Sequence, residues 1–442
     1  MEKLAILGGT PVLDPAKVPE SLTHWPIFTQ EDEAALLDVF HNNMMSGNTI
    51  TVEFEKEFAA WLGTNYAVAA TNGTMALQAA MYAVGLQAGD ELICPTKTYW
   101  ASCLSAQNLG VSVVFGNIQP HSMNLDPEDL ERCLSPWTKA IMVVHYCAYP
   151  AEMDKIMAFA KKHNLKVIED VSHAQGGLYK GQKLGTFGDV AAMSMMSGKS
   201  LACGELGMLA TNNKEYRDRA LAYLHYERNN EDNIDTEYLK EYYHMPLSGM
   251  KGRANQLCTA YARVQLKHYD ERCVEIRKAM NYFWDQLEGV PGIRAHRVNE
   301  AEGSNMAGWY SPQMLYYAEE LGGLDPKVFV KAVEAECGFC SGVGGNFPLH
   351  THPIFQTFDL MGLGKPARIA FAHRDVRELD KDLARSEKVV CVSIPWFKTF
   401  QPKWLELYAA AYRKVAENYQ QLLDMEKSND VAGGQWYGKV NR

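Results

Sequence analysis

The chain has 442 residues, of which 47% are hydrophobic and 22% are charged. Such a balance is typical of a folded globular protein and excludes a disordered, collagen-like or disulfide-dense chain. The length suits two or three domains, or one large α/β domain with an appendage, and allows a sizeable core, so a small binding module is also excluded. The 43 Lys and Arg against 53 Asp and Glu leave no basic excess that could hold a phosphate backbone. We therefore expect small-molecule partners and no nucleic acid.

The cysteines and the N-terminus predict a reduced, cytoplasmic environment. Ten cysteines are scattered without the regular spacing of a disulfide framework. The first apolar run, Leu4 to Leu7, is too short for a signal peptide, and no stretch approaches the roughly 20 apolar residues of a membrane span. The one Cys-x-x-Cys pair, Cys337 and Cys340, lacks a second pair and lacks zinc-type histidine spacing. No membrane contact and no metal site are predicted.

The first half of the chain reads as alternating helices and strands. Two helices, near 31–40 and 53–62, have apolar residues at helical spacing, and residues 66–71 form a run typical of a buried strand. Further strands are predicted at 91–94, 112–117, 140–145, 166–169 and 190–194, with helices at 75–84, 101–109, 127–133 and 153–163. This alternation predicts a mostly parallel sheet with helices on both faces. In such sheets ligands bind beyond the carboxyl ends of the strands.

The second half predicts a smaller domain. After about residue 213 the chain becomes charged and helical, with a long amphipathic stretch at 254–287. Pro291, between Gly289 and Gly292, marks a boundary. The remainder reads as α+β, with strands at 313–317 and 389–394 and helices at 326–337 and 402–423. We expect a large domain of residues 1–288, which includes the N-terminal segment, and a small domain of residues 289–442, which ends in a polar tail at 428–442.

Lys199 is the first candidate for chemistry. Across the 22 residues from Val190 to Thr211, Lys199 and Glu205 are the only charged side chains. Burial disfavours the charged ammonium and makes the neutral amine available for a Schiff base. The alternative is a lysine that reaches the surface from a Gly-rich turn. A phosphate-binding Gly-Lys-Ser loop is excluded, because that motif needs a glycine where Met193 stands.

Other polar residues follow predicted strands and could serve a phosphorylated aldehyde cofactor. Gly73 and Thr74 begin a helix, where free backbone N–H groups can hold a phosphate. Tyr99 offers an aromatic face for a planar ring, or it is a packed core aromatic. Asp170 could pair with a protonated ring nitrogen, or it could cap a helix. His173 could orient Asp170 or contact a ring oxygen, or it could be a hydrogen-bonded core residue.

The order of these residues along the chain identifies a family. The sequence resembles the DegT/DnrJ/StrS group of pyridoxal-phosphate (PLP) sugar aminotransferases, which have the aspartate aminotransferase fold, fold type I. The resemblance covers nearly the whole chain. It rests on four stretches: Ala70–Leu77 (ATNGTMAL), Pro95–Ser102 (PTKTYWAS), Val167–Gly176 (VIEDVSHAQG) and Ser194–Gly207 (SMMSGKSLACGELG). The resemblance implies an α/β fold with a mostly parallel seven-stranded sheet and a smaller C-terminal α+β domain.

The resemblance also implies roles for the residues near the cofactor ring. Lys199 matches the catalytic lysine that forms the internal aldimine with PLP, and Asp170 matches the partner of the pyridine nitrogen. Tyr99 matches the aromatic residue that stacks on the ring. His173 matches the position beside the 3-oxygen of the ring.

The phosphate contacts implied by the resemblance come from other segments. Gly73 and Thr74 match them by their backbone amides, and Ser194 matches them by its hydroxyl. In this family a neighbouring subunit reaches the phosphate from a Gly-x-Asn-x-Arg segment, which implies a homodimer with shared sites. Here that segment is Gly249–Arg253 (GMKGR), with Lys251 where asparagine is common. We therefore include Lys251 among the expected cofactor contacts.

By resemblance the reaction is a transamination. The donor is glutamate or glutamine, and the acceptor is a keto-sugar or a keto-cyclitol. Residues 7–12 (LGGTPV) and the pair Trp25 and Pro26 resemble the branch with inosose aminotransferases and aminohydroxybenzoate synthase. Alternatives are a reaction like that of this synthase, a PLP-dependent sugar dehydratase and a non-catalytic PLP-binding regulator. The dehydratase branch typically has histidine at the position of Lys199, which argues against it.

Overall fold

The computed structural model describes residues 2–423. The strands of this part are β1 (Tyr66–Ala70), β2 (Glu91–Pro95), β3 (Ser112–Gly116), β4 (Thr138–Val144), β5 (Lys166–Asp170), β6 (Leu178–Tyr179), β7 (Gln182–Lys183), β8 (Val190–Ser194), β9 (Gly207–Thr211), β10 (Ile293–Ala295), β11 (Gln313–Tyr316) and β12 (Cys391–Ser393). Its helices are α1 (Gln30–His41), α2 (Thr49–Leu62), α3 (Gly73–Ala83), α4 (Leu130–Cys133), α5 (Met153–His163), α6 (Lys214–Leu224), α7 (Gln256–Asp285), α8 (Pro326–Cys337), α9 (Pro353–Gln356), α10 (Ala384–Glu387) and α11 (Pro402–Glu417).

A seven-stranded sheet forms the centre of the fold, in the order β1-β9-β8-β5-β4-β2-β3. The pairs β2·β3, β2·β4, β4·β5 and β5·β8 are parallel, whereas β9 is antiparallel to both of its neighbours, β1 and β8. The predicted α/β class with a mostly parallel seven-stranded sheet is therefore confirmed. Because β1, β2, β5 and β8 run in one direction, their carboxyl ends lie along one edge of the sheet.

Apolar residues cover both faces of this sheet, which explains why its strands lack polar alternation. In β8, Val190 and Ala192 pack into the cluster that includes α3 and α6, while Ala191 and Met193 pack into the cluster that includes α2 and part of α7. Alternate side chains of one strand thus belong to two different cores. The sheet is rigid on both sides, and the loops at its carboxyl edge can hold side chains in fixed positions.

A second sheet, β10-β11-β12, is antiparallel and packs with α8 and α11 into a separate apolar cluster. The N-terminal residues Leu4, Leu13 and Leu22 are buried in this second cluster. Conversely, Leu349 and Phe355, which belong to the predicted small domain, are buried in a cluster of the large sheet. The division at residues 288 and 289 stays a prediction, and the predicted polar tail lies outside the described residues.

Some local features differ from the sequence prediction. The helix expected at 101–109 is two 3-10 segments, Trp100–Ser102 and Leu104–Leu109, separated at Cys103, which has φ −144°. The strand β9 was not expected, although residues 207–211 are mostly apolar. Helix α3 begins at Gly73, two residues before the predicted start. Within residues 2–423 every helix is too short or too polar to cross a membrane.

Candidate functional site

The first turn of α3 forms one wall of the site. The side chain of Asn72 caps the helix by accepting a hydrogen bond of 2.9 Å from the Met75 N–H. The helix itself offers no acceptors to the earlier N–H groups, so those of Gly73 and Thr74 can bind an anion. A Cβ atom on Gly73 would lie 2.5 Å from the Cβ of Ser194. Only glycine therefore allows the helix start to lie against the end of β8, where the Ser194 hydroxyl is placed.

Asp170 is the last residue of β5, and its carboxylate is buried. One oxygen accepts a hydrogen bond of 2.7 Å from the Ser102 hydroxyl, and the other accepts one of 3.0 Å from the Ser172 N–H. The Ser102 hydroxyl also lies 2.9 Å from that of Thr98. These groups fix the orientation of the carboxylate but are neutral. A buried carboxylate held in this way is available to a cationic partner.

Lys199 lies in a tight turn after β8 and is only 7% exposed. Its N–H donates to the Met196 carbonyl at 2.8 Å, and its own carbonyl accepts a hydrogen bond of 2.9 Å from the indole N–H of Trp25. Its Nζ lies 4.2 Å from the centre of the Tyr310 ring. The alternative of a lysine that reaches the surface is wrong, because the residue is buried and its amine lies over the Tyr310 ring.

A buried hydrogen-bond network connects the Lys199 turn to the loop after β5. The Ser200 hydroxyl donates to the Gln175 side-chain oxygen at 2.8 Å and accepts from the Tyr269 hydroxyl at 2.9 Å. The Gln175 amide nitrogen donates to the Ser194 carbonyl at 2.7 Å. The Ser194 N–H donates to the Ser172 hydroxyl at 2.9 Å. The segments that carry Asp170, Ser194 and Lys199 are thereby joined into one rigid unit.

His173 lies beside this unit and is buried as a neutral ring. Burial lowers the pKa of His173 well below its ordinary value, and the charge of Lys199 lowers it further. Its Nδ1 accepts a hydrogen bond of 3.2 Å from the Cys147 N–H, so the ring proton is on Nε2. Cys147 has φ +49°, a backbone conformation that costs free energy and is often found at functional sites. The Nε2–H of His173 is thus positioned to donate to a ligand.

Tyr99 and Lys251 are more exposed than the other predicted residues. Tyr99 follows β2, is 37% exposed, and packs against the ring of Trp100 at 4.9 Å between ring centres. Lys251 is exposed and lines an open cleft of about 420 Å³. The carbonyl next to it, of Gly252, accepts a hydrogen bond of 2.9 Å from the N–H of Thr71, just before α3. The structure therefore places this segment beside the α3 wall of its own chain, and its reach to a partner subunit stays a prediction.

The sequence prediction missed several residues around Lys199. Ser102, Gln175 and Ser200 lie inside the motifs that carry the family resemblance, so their polar character was a usable signal. Trp25 and Tyr310 lie far from Lys199 in the chain, and no spacing rule connects them to it.

In residues 2–423 no three His, Cys, Asp or Glu side chains are grouped so that they could hold a metal ion.

The arrangement fits PLP at each of its chemical groups. An anion fits the wall formed by Gly73, Thr74 and Ser194, which only a glycine at position 73 allows. A protonated ring nitrogen fits the buried carboxylate of Asp170, and an aldehyde fits the amine of Lys199. Together with the sheet topology, these features are those of an α/β enzyme of PLP fold type I.

The family follows from comparison with known proteins. The model of the DegT/DnrJ/EryC1/StrS aminotransferase family matches residues 26–361, and the chain belongs to this family of PLP-dependent enzymes. GDP-perosamine synthase of Escherichia coli O157:H7 is 31% identical over 310 residues, which are 70% of this chain and 79% of that protein. A Micromonospora echinospora protein, provisionally named L-glutamine:3-amino-2,3-dideoxy-scyllo-inosose aminotransferase, is 33% identical over 61% of this chain and 62% of its own length.

The fold is also that of a solved structure. The crystal structure of 3-amino-5-hydroxybenzoic acid (AHBA) synthase is similar to this chain with a TM-score of 0.75. The similarity covers 91% of this chain and 100% of that chain at 22% sequence identity. Identity this low shows the fold alone.

Proposed function

We propose that this enzyme transfers an amino group from glutamate or glutamine to a keto-sugar or a keto-cyclitol. The observation that carries the proposal is the buried amine of Lys199 on the same sheet edge as the buried carboxylate of Asp170. The hydrogen bonds through Gln175 and Ser200 hold these two groups in a fixed relation. A fixed amine and a fixed acid are the two groups that transamination needs from the protein.

PLP, when bound, supplies an aldehyde for Schiff-base chemistry and a ring that takes up electron density from the substrate carbon. The protein must then move protons. The Nζ of Lys199, once free, takes the proton from the carbon that bears the amino group of the donor. The carboxylate of Asp170, held by Ser102 and Ser172, keeps a ring nitrogen protonated. In the second half of the reaction Lys199 returns a proton to the acceptor carbon.

Other residues of the site bind and orient. The N–H groups of Gly73 and Thr74 and the hydroxyl of Ser194 hold the phosphate, which also benefits from the positive end of the α3 dipole. His173 donates its Nε2–H to the ring oxygen, because its Nδ1 is already occupied by the Cys147 N–H. Tyr99 would stack on the ring of PLP.

Two considerations support the class of acceptor. The relatives reported above carry names that refer to a GDP-linked sugar and to a cyclitol derivative, and both types of acceptor have a carbonyl on a polyhydroxylated ring. The N-terminal LGGTPV segment and Trp25 are like those of the inosose branch by sequence. Trp25 contacts the Lys199 turn directly, so this part of the chain belongs to the site.

Mixing the purified, PLP-loaded protein with glutamate tests the proposal. A transaminase converts the yellow Schiff-base form, which absorbs violet light, to the pyridoxamine form. It also releases one equivalent of 2-oxoglutarate. A panel of keto-sugars and keto-cyclitols, each added to the converted enzyme, then identifies the acceptor by return of the yellow form. A regulator without turnover gives no conversion with any donor, and this result would overturn the proposal.

We further propose that the enzyme is a homodimer in which Lys251 reaches the phosphate of the partner subunit. The side chain of Lys251 is exposed and close to the aromatic ring of Tyr226, at 5.7 Å. Sedimentation is expected to give a dimer, and Lys251→Ala is expected to weaken PLP binding severalfold. A fully active monomer would contradict both statements.

A further inference from the structure

Lys97 is a buried lysine that the proposed mechanism does not use. It lies in the loop between β2 and Tyr99, at the carboxyl edge of the sheet, and is 3% exposed. Its Nζ donates one hydrogen bond of 2.9 Å, to the carbonyl of Gly344. No Asp or Glu oxygen of residues 2–423 forms an ion pair with it. A buried ammonium with a carbonyl as its partner lacks the anion that would stabilise its charge.

The surroundings of Lys97 lead to the site. Gly344 belongs to a segment, residues 341–349, that lies over the Lys97 loop, and the Tyr146 hydroxyl donates to the Asn346 side chain at 2.7 Å. The ring of Tyr146 lies 5.5 Å from that of His173, between ring centres. The segment whose Gly344 carbonyl accepts the Lys97 hydrogen bond is therefore connected through Tyr146 to His173.

Tyr310 connects His173 to Lys199. The ring of His173 lies 4.6 Å from that of Tyr310, which in turn lies 4.2 Å from the Lys199 Nζ. Burial raises the pKa of the Cys147 thiol, and the charges of Lys97 and Lys199 both oppose this rise. Cys147 is thus within electrostatic reach of both amines. Lys97 adds a second positive charge to the region where the substrate must react.

We propose that Lys97 binds the α-carboxylate of the amino donor. This inference rests on the proposed function, since it assigns a binding group for one of the substrates. The α-carboxylate is attached to the same carbon as the amino group that reacts at Lys199, so it must lie deep in the site. A phosphate on a nucleotide-linked acceptor is separated from the reacting carbon by the sugar ring and would lie nearer the surface. The burial of Lys97 therefore favours the donor carboxylate.

The substitution Lys97→Gln tests this role. Glutamine keeps an N–H donor for the Gly344 carbonyl but removes the charge, so it separates anion binding from the support of residues 341–349. The probe is α-methylglutamate, which has the α-carboxylate but no α-hydrogen to lose, and calorimetry on the PLP-loaded protein measures its dissociation constant. We expect binding at least tenfold weaker in Lys97→Gln than in the unchanged protein, and near-normal binding in Lys97→Arg.

A matched control is Lys139→Gln. The Nζ of Lys139 also donates to one carbonyl, that of Pro136 at 3.2 Å, but the residue is exposed at the opposite end of the sheet. Its replacement is expected to leave the dissociation constant unchanged. If Lys97→Gln does not retain the cofactor absorbance, Lys97→Met is measured in its place. A second probe, 4-aminobutanoate, lacks the α-carboxylate, and its weak binding should be the same with or without the Lys97 charge.

The outcomes separate this inference from the proposed function. Equal binding of α-methylglutamate by Lys97→Gln and the unchanged protein would overturn the role of Lys97. An effect confined to the keto acceptor would also overturn it, and would assign the charge to a phosphate. If instead neither glutamate nor glutamine converts the unchanged protein, the aminotransferase proposal itself fails.

Discussion

The most informative residues of this site are polar side chains that are buried and hydrogen-bonded only to neutral groups. Asp170 is held by Ser102 and Ser172, and no positive side chain of residues 2–423 forms an ion pair with it. Buried carboxylates are usually paired or neutralised. The position of Asp170 is therefore hard to explain by stability alone, and it indicates a cationic group on a ligand.

Replacement of Asp170 tests this interpretation. Asp170→Asn keeps the size of the side chain but removes the charge that we propose keeps the ring nitrogen of PLP protonated. We expect turnover to fall at least ~100-fold, about 2.7 kcal/mol of transition-state stabilisation, while the melting temperature stays within a few degrees. Ser102→Ala, which removes a hydrogen bond of 2.7 Å but not the charge, serves as the control and should cost much less activity. Full activity of Asp170→Asn would show that the ring nitrogen has another partner.

At this scale the sequence predicted part of the site. Lys199 could be found because it is nearly the only charge in a long apolar window, and Asp170 because an acid follows an apolar strand. Tyr310 could not be found, since it reaches Lys199 only through the fold of the loop that contains it, which is distant from Lys199 in the chain. That loop has three non-glycine residues with positive φ, which sequence patterns do not predict: Ala307, Trp309 and Ser311.

Among the structural elements, the strand β1 depends on a buried histidine behind it. The Nε2–H of His225, just after α6, donates to the carbonyl of Ala69 at 2.9 Å. Burial lowers the pKa of His225 to about 4, and the nearby charge of Arg228 contributes. The β1 strand leads directly into α3, so the hydrogen bond of His225 supports the wall of the site that the first turn of α3 forms.

This low pKa predicts how acid affects stability. Above pH 6.5 the histidine is neutral in the folded and the unfolded chain, so it adds no pH dependence. As the pH falls from 6.5 towards 4, the unfolded chain takes up a proton that the folded chain excludes, and stability is lost. For His225 the loss is about 2 to 3 kcal/mol at pH 4.5, at about 1.4 kcal/mol for each pKa unit.

Urea denaturation at pH 7 and at pH 4.5 measures this effect. His225→Gln keeps an N–H donor for the Ala69 carbonyl but cannot be protonated. When the pH falls from 7 to 4.5, this variant should therefore lose about 2 to 3 kcal/mol less unfolding free energy than the unchanged protein. The exposed His41, in the last turn of α1, provides the control His41→Gln, which should behave like the unchanged protein. An equal pH dependence in all three proteins would contradict the low pKa.

Elements with a clear apolar period were well predicted, and the others were not. The helices α5 and α8 and the strand β8 have the predicted limits, because capping residues or turns mark their ends. The strand β9 was missed because it is defined by its pairing with β1 and β8, and the local sequence does not show which strands pair. Similarly, nothing in residues 101–109 shows that the chain turns at Cys103 so that two 3-10 segments replace a helix.

At the scale of the whole molecule, the site depends on parts of the chain from both ends. Trp25 from the N-terminal segment holds the Lys199 turn, and Trp396 near the C-terminus contacts both Trp25 and Tyr310, at 5.9 and 5.8 Å between ring centres. The N-terminal Leu4 and Leu13 pack into the core of the small sheet. The family resemblance predicted the class of fold correctly, but only the tertiary contacts connect these distant segments to Lys199.

The proposed function requires that the amine of Lys199 joins covalently to PLP. Borohydride reduction of the PLP-loaded protein, followed by proteolysis and mass spectrometry, locates this bond. We predict a single phosphopyridoxyl group on the peptide that contains Lys199, and none in Lys199→Ala, which should still bind PLP without covalent attachment. A reduced adduct on another lysine, such as Lys97 or Lys251, would show that Lys199 is not the residue that binds the aldehyde.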